Sequence, residues 1–337
     1  IYKGIFFIVL LLLVINLFGF YLIQKSYKSL DKNKKIKIAV LQGYLPWVSQ
    51  YWPNPNEPFS FPAPFDSLIK QLPKGLDIIL LPEEVLHFNP VRIFAPGFPT
   101  RILETSFYFE DEKNQIMNLL QQVGAKIFII GQPVIFDNNL SGNSFLIFDN
   151  KGNVGAYIKK RLFPLVERPI IIPRLDYIKF GYTPGPTSPF ISTTEKDLNI
   201  FLGNCIEIEN SDLPNKFLTN ESSVILNGGS EIGFREYAKR YQIKLARFRA
   251  IEQDKYLASA KKGGYSLIVD PTGKILKISK TSYENTILIK EIYLKEGKTL
   301  YSKIGRFNNF IYSILSLLFF SFLIYGNKNY LKKSEHI

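Results

Sequence analysis

The chain has 337 residues, 46% of them apolar, with 42 Lys and Arg against 29 Asp and Glu for a net charge of +13. That length holds one large domain or two modest ones. Such basicity invites a nucleic-acid reading, but its distribution argues against one. Residues 1–37 carry seven Lys and one Asp, residues 298–337 carry six basic residues and one Glu, and the stretch between them keeps only two net charges. Basic residues gathered at two ends suit anionic lipid headgroups instead.

After residues 1–3, positions 4–24 are uncharged and rich in Ile, Leu, Val and Phe. At about 1.5 Å per residue this run spans a bilayer core of ~30 Å, so it reads as a transmembrane helix. A cleaved signal peptide is the competing reading, but the run is long for a signal core and no small-residue cleavage site follows. The first residue is Ile, so either the start is unusual or upstream sequence, which could carry further helices, is missing. Residues 25–35 form a basic juxtamembrane segment.

Residues 36–292 alternate strand-like and helix-like runs. KIKIAVLQG (35–43), LDIILLP (76–82), AKIFIIGQPV (125–134), NSFLIFD (143–149) and GAYIKK (155–160) are short, apolar and bounded by Gly, Asn or Pro. LNIFLGNC (198–205), SSVILNG (222–228), YLASA (256–260), YSLIVD (265–270) and NTILIKEI (285–292) repeat the pattern. Helical periodicity appears in 64–72, 110–123 and 234–253. Continuous apolar strands interleaved with helices predict an α/β fold with both sheet faces covered. DPTG at 270–273 signals a hairpin turn. The stretches 44–63 and 168–192 are rich in Pro and aromatics, and read as loops near an active-site mouth or as irregular packing over the sheet.

A linker over 293–306 leads to a second uncharged stretch, 307–327, read as another transmembrane helix, and then to a basic tail, 328–337. Orientation is ambiguous. Lys25 to Lys37 would hold the domain in the cytoplasm by the positive-inside rule, whereas the basic tail would put the C-terminus inside and the domain outside.

The single cysteine permits no internal disulfide and leaves the redox compartment open. Cys205 follows LNIFLGN and so emerges where a buried strand ends, a common place for catalytic groups in α/β folds. Taken alone it also fits a small buried hydrophobe. Glu83 follows DIILLP at another strand exit, where a carboxylate withdrawn from water can accept a thiol proton. A helix N-terminal acid is its bland competitor and suits Glu84 equally. Lys159 in GAYIKK could stabilise an oxyanion, or belong to a basic surface run with Lys160 and Arg161. Carboxylate, amine and thiol together suggest a nucleophile with its own base and its own oxyanion stabiliser. His87 is the only histidine of the domain, so a His-rich or Cys-rich metal site is excluded, and no phosphate-binding glycine motif appears. No cofactor is expected.

These strings resemble the carbon–nitrogen hydrolase (nitrilase) superfamily and, within it, the apolipoprotein N-acyltransferases, over about residues 36–292. LPEE resembles the family's strand-end Pro-Glu, which assigns the base to Glu83. YIKKRLFPLVE is similar to its tyrosine–lysine segment ending in Pro-x-x-Glu, which assigns the catalytic lysine to Lys159 and a second acid to Glu167. NCIE matches the acyltransferase form Cys-x-Glu, with Cys205 as nucleophile and Glu207 as supporting acid; Glu167 and Glu207 otherwise read as surface acids. Arg249, Glu252, Gly264 and Ser266 fall in register with the family's long helix, strand and glycine turn.

The resemblance implies a four-layer α-β-β-α sandwich flanked by N- and C-terminal transmembrane helices. It also implies a bacterial cytoplasmic membrane location, with the catalytic domain outside the cytoplasm. The implied reaction moves a fatty acyl chain from a phospholipid donor, through a Cys205 thioester, to the terminal amine of an apolipoprotein acceptor. A membrane-tethered amidase or nitrile hydrolase, and an inactive membrane scaffold, are the alternatives. The chain departs from the family in having one helix before the domain. ILNGGSEIGF keeps Asn227, read as part of a substrate loop, but lacks the family's tryptophan. Arg161 stands for a histidine, and Lys262–Gly263 for paired asparagines. These departures bear on acceptor and lipid specificity.

Overall fold

The computed structural model describes residues 2–30, 34–44, 61, 63–83, 85, 91–93, 107–136, 141–164, 167, 182–185, 188–192, 198–221, 223–305, 310 and 312–321. In chain order the elements begin with α1 (Tyr2–Lys28), β1 (Lys35–Gln42), α2 (Ala63–Ile69), β2 (Ile78–Leu80) and β3 (Val91–Ile93). Then come α3 (Phe107–Val123), β4 (Ile127–Gly131), β5 (Val134–Phe136), β6 (Ser141–Gly142), β7 (Ser144–Asp149) and β8 (Val154–Ile158). The second half holds β9 (Phe190–Ser192), β10 (Asn199–Asn204), a 3-10 turn (Cys205–Glu209), α4 (Asp212–Phe217), β11 (Ser223–Ser230) and α5 (Glu236–Gln253). It continues through β12 (Leu257–Lys262), β13 (Leu267–Val269), β14 (Ile275–Ile278), β15 (Thr286–Tyr293) and α6 (Leu300–Ile304) to the apolar helix α7 (Tyr312–Ser321).

Two six-stranded sheets run in the orders β15-β1-β2-β4-β7-β8 and β14-β13-β12-β11-β10-β9, with β3-β5-β6 as a small third sheet. At their centres β1, β2 and β4 are mutually parallel, as are β10, β11 and β12. Side-chain alternation along these strands creates three apolar layers. Ile38, Val40, Ile78 and Leu80 face Ile200, Leu202, Val224 and Leu226 of the other sheet. Their neighbours Ala39, Leu41 and Ile79 face outward onto Phe65 of α2 and Leu120 of α3. On the far side Phe201, Ile225 and Leu257 meet Ala246 and Ala250 of α5. Helix, sheet, sheet and helix therefore stack as the α-β-β-α sandwich expected. Between the sheets the fully buried Phe145 ring sits so closely over Gly228 that no Cβ fits there.

Several strands differ in detail from the sequence expectation. The run 125–134 breaks at Gln132–Pro133, because proline cannot donate to the ladder, and the chain moves from the first sheet into the small one. YLASA extends to Lys262, carrying two buried lysines along β12. β9 lies inside the stretch 168–192, most of which, like most of 44–63, falls outside the described residues. The DPTG turn joins β13 to β14. Asp270 Oδ1 accepts the amides of Thr272 and Lys274 at 2.9 and 3.0 Å, and Gly273 takes φ +81°.

Both ends of the domain leave from the same pole, the one where the parallel strands begin. β1 starts where β15 ends, Lys35 lying opposite Tyr293. The last turn of α1 is hydrogen-bonded to this pole: Ser26 Oγ donates to Asp254 Oδ1 at 2.5 Å and Tyr27 OH to Asp270 Oδ2 at 3.0 Å. Buried Lys295 donates to both Asp254 oxygens at 2.8 Å and to the Ser26 carbonyl at 3.0 Å. Ahead of α6, Thr299 Oγ1 donates to the Glu252 carbonyl at 2.5 Å, near the C-terminus of α5. Within α1, Val9–Lys28 is the one segment among the described residues long and apolar enough to cross a membrane, and it is almost wholly exposed. Lys25 and Lys28 close its last turn, where cations suit the helix dipole. α7 is shorter, only part of 307–327 is described, and 328–337 lies outside the described residues.

Candidate active site

The opposite pole, where the parallel strands end, gathers the reactive side chains. β10 is buried along its length and stops at Asn204. The chain then turns through half-buried Cys205 at φ 51°, a left-handed conformation uncommon outside glycine. Such a backbone costs on the order of 1–3 kcal/mol and persists only where its surroundings fix it. Three side chains do so. Asn227 Nδ2 donates to the Gly203 carbonyl at 3.1 Å and that of Cys205 at 3.5 Å. Glu207 accepts the Asn204 amide at 2.8 Å. Arg249 Nε on α5 donates to the Ile208 carbonyl at 3.0 Å.

Glu83 stands just past β2 and is 4% exposed. Its Oε2 accepts the Ser230 amide at 3.0 Å, while the Ser230 carbonyl lies 3.9 Å from Cys205 Sγ. One residue thus ties carboxylate and thiol to the same strand end. Lys159, directly after β8 and 1% exposed, places Nζ 2.8 Å from Glu167 Oε1 and 3.6 Å from Glu83 Oε1. Asn143 joins the two carboxylates: its amide nitrogen donates to Glu83 and, at 2.6 Å, to Glu167, and its oxygen accepts from Asn204 Nδ2 at 3.0 Å. Glu167 also accepts the Phe163 amide at 2.6 Å, which closes the turn carrying it.

Glu207 stands one layer back. It accepts the Lys160 and Arg161 amides at 2.8 and 3.0 Å, the Asn204 amide, and the Tyr157 hydroxyl at 2.8 Å. Its contacts hold the segment after Lys159 against the turn carrying Cys205.

The charge states follow from this geometry. Burial alone would raise the Glu83 carboxyl, but the Lys159 ammonium and the Asn143 and Ser230 donors bring it below the ordinary range. Burial also works against the Lys159 charge, yet the Glu83 and Glu167 carboxylates hold its proton more tightly than in free lysine. Burial first, then the Glu83 charge, push the Cys205 thiol up to about 12, opposed by Lys159 and Lys261. Burial raises the Glu207 carboxyl despite its amide donors. The resting site therefore holds a thiol beside a carboxylate and an ammonium. Proton transfer from sulfur to Glu83 conserves the net charge of the cluster.

Glu83, Lys159, Glu167 and Cys205 are thus brought together, and Glu207 supports them. Asn227 lies in β11 rather than in a loop, fully buried, accepting from Ser259 Oγ at 3.1 Å while it holds the main chain of the cysteine turn. Glu84 and His87 lie outside the described residues. Asn143 was missed; its one signal is a polar residue opening a buried strand. Also missed was a buried pair, Lys261 and Glu231, joined at 3.0 Å beside Cys205. Among the described residues no three His, Cys, Asp or Glu side chains gather as metal ligands.

Comparison with known proteins bears on the family and the fold. The chain is similar to apolipoprotein N-acyltransferase of Synechocystis, 26% identical over 313 residues, covering 89% of this chain and 55% of that protein. It is 24% identical to the Haemophilus influenzae protein of the same name, covering 94% and 59%. The chain thus spans a little over half the length of these relatives. Among solved structures it shares the fold of yeast Nit3, a member of the nitrilase superfamily (TM-score 0.53, 18% identity, 77% of this chain and 90% of that one). An amidase from Nesterenkonia sp. is equally similar in fold (TM-score 0.53, 17% identity, 78% and 92%). The carbon–nitrogen hydrolase family pattern matches residues 66–300, and with its sandwich and its thiol at a strand end the chain belongs to the carbon–nitrogen hydrolase family.

Proposed function

We propose that this chain is a membrane-bound N-acyltransferase that moves a fatty acyl group from a phospholipid to the terminal amine of a diacylglyceryl-cysteine lipoprotein. The reading rests on one observation above all: a Glu83–Lys159–Cys205 cluster shares a chain with an apolar helix hydrogen-bonded to the same domain. The relatives named apolipoprotein N-acyltransferase support it, since their likeness extends over nine-tenths of the chain. In this reading the protein sits in a bacterial cytoplasmic membrane, the segment 307–327 is a second span, and the catalytic domain faces away from the cytoplasm.

Glu83 accepts the Cys205 proton as the thiolate attacks the ester carbonyl of the phospholipid. The Lys159 ammonium balances the charge of the tetrahedral oxyanion. Collapse breaks the ester C–O bond, and the alkoxide takes the proton from Glu83, leaving as lysophospholipid. A thioester remains on Cys205. The neutral acceptor amine then attacks, Glu83 receives its proton, and the expelled thiolate takes that proton back. Glu167 holds Lys159, and Glu207 keeps the cysteine turn aligned with it.

The test is intact-mass measurement of detergent-solubilised protein after incubation with phospholipid. A fatty-acyl adduct that hydroxylamine removes, and that Cys205→Ala lacks, is expected. Ammonia released from small amides with no acyl adduct would overturn the reading in favour of a tethered amidase.

A further inference from the structure

Lys261 and Glu231 are 3% and 2% exposed at their side chains, and their ion pair takes no part in the route above. Burying two charges is costly before their attraction is counted, so a pair at this depth beside a nucleophile calls for a reason. Two glycines make room for it. Gly229 lies opposite Lys261 in the β11–β12 ladder, and a Cβ there would stand 3.1 Å from Lys261 Nζ and 3.1 Å from Cys205 Cα. A side chain at Gly264 would run into the Glu231 carboxylate. The missing side chain at Gly229 leaves an open lane from the ammonium to the cysteine.

We propose that Lys261, held in place by Glu231, is a second cation that stabilises the Cys205 thiolate. This rests on the reading of Cys205 as the nucleophile. Lys159 is poorly suited to the task alone, since Glu83 and Glu167 already share its charge at 3.6 and 2.8 Å. Passing the thiol proton to Glu83 still leaves the thiolate and Glu167 sharing that one ammonium, and losing it to solvent would set three anions against it. Among the charges around the cysteine, Glu83 and Glu167 disfavour the thiolate, whereas Lys159 and Lys261 favour it. Lys262 acts on Glu83, and Glu231 acts on Lys261. Beyond its ion pair with Lys261, the Glu231 carboxylate takes no hydrogen bond among the described residues, so it steadies the lysine without drawing other donors into the site. Lys261 is a positioning residue here, acting through the sulfur's charge.

The test measures the pH dependence of Cys205 reaction with 4,4′-dithiodipyridine on the full chain in detergent, from neutral to alkaline pH. With one cysteine in the chain the signal has one source. Lys261→Met should move the midpoint up and Glu231→Gln should move it down, each by about one unit, which is tenfold in thiolate fraction below the midpoint. Opposed signs are what a merely structural role would not give. Should Lys261→Met fail to fold, the downward move in Glu231→Gln carries the test. Unmoved midpoints, or both moving the same way, overturn the proposal. No lipid or acceptor enters the assay, so its outcome is independent of the acyl-adduct experiment.

Discussion

Asn143 carries the most consequence of any single uncharged residue. One amide nitrogen bridges two buried carboxylates that share a lysine, and the opposite oxygen holds Asn204 beside the nucleophile. Asn143→Ala leaves both carboxylates short of a donor. Turnover should fall by about 10- to 100-fold, the scale on which hydrogen-bond partners that orient the ligands of metal sites act. The same variant reports on charge. Glu83 is depressed in the folded protein, so its ionisation contributes stability above the unfolded carboxyl range, and this is lost as pH falls through the folded value. As a base it must be ionised, so the acid limb of kcat/KM in the native chain should lie below the ordinary glutamate range. Removing the Asn143 donor should shift that limb upward. An unshifted limb with near-native turnover would show that the bridge is dispensable.

Among elements, the strand ends were legible in the sequence and the bridges between them were not. Cys205, Glu83 and Lys159 each follow an apolar run long enough to be a buried strand, so their emergence at strand ends could be anticipated, and the structure brings those ends from two sheets to one pole. The position of Asn143 depends on where β7 comes to lie relative to the turns carrying Glu83 and Glu167, and no local pattern records that. Lys261 was hidden differently. Both lysines fall beyond the strand YLASA as the sequence marks it, and only the pairing of β11 with β12 brings Lys261 opposite Gly229 and within reach of Glu231. The joint between α1 and the domain was equally silent, because Ser26, Asp254 and Lys295 lie far apart in sequence. It can be tested apart from the chemistry. Asp254 has φ 51°, which asparagine tolerates, so Asp254→Asn keeps the backbone while depriving buried Lys295 of its counter-charge. About 3 kcal/mol of stability should be lost, with faster hydrogen exchange in the last turn of α1. Cys205 reactivity should not change. Unchanged exchange and melting would show that the joint contributes little.

At the scale of the whole molecule, the two sheets are locked face to face by apolar side chains on alternating positions, and the tightest fit is Phe145 over Gly228. Gly228 precedes the strand end that carries Ser230, so the fit lies directly under the catalytic pole. Gly228→Ala should drive the ring aside at a cost of about 1–3 kcal/mol, the range for overpacked cores. It should depress turnover beyond what the lower melting temperature explains, by shifting the Ser230 backbone that links Glu83 to Cys205. A variant with native melting and native turnover would show that the sheets adjust freely.

The anchoring contacts of α1 and α6 sit where the parallel strands begin, and the cysteine sits where they end. β12 alone runs six residues between those poles, a span of about 20 Å at ~3.3 Å per residue. An upright sandwich, standing on its tethers, would lift its chemistry well clear of the lipid surface. Under the proposed reaction, a sandwich that reclines with its long side along the headgroups would bring tether and thiol to the same plane.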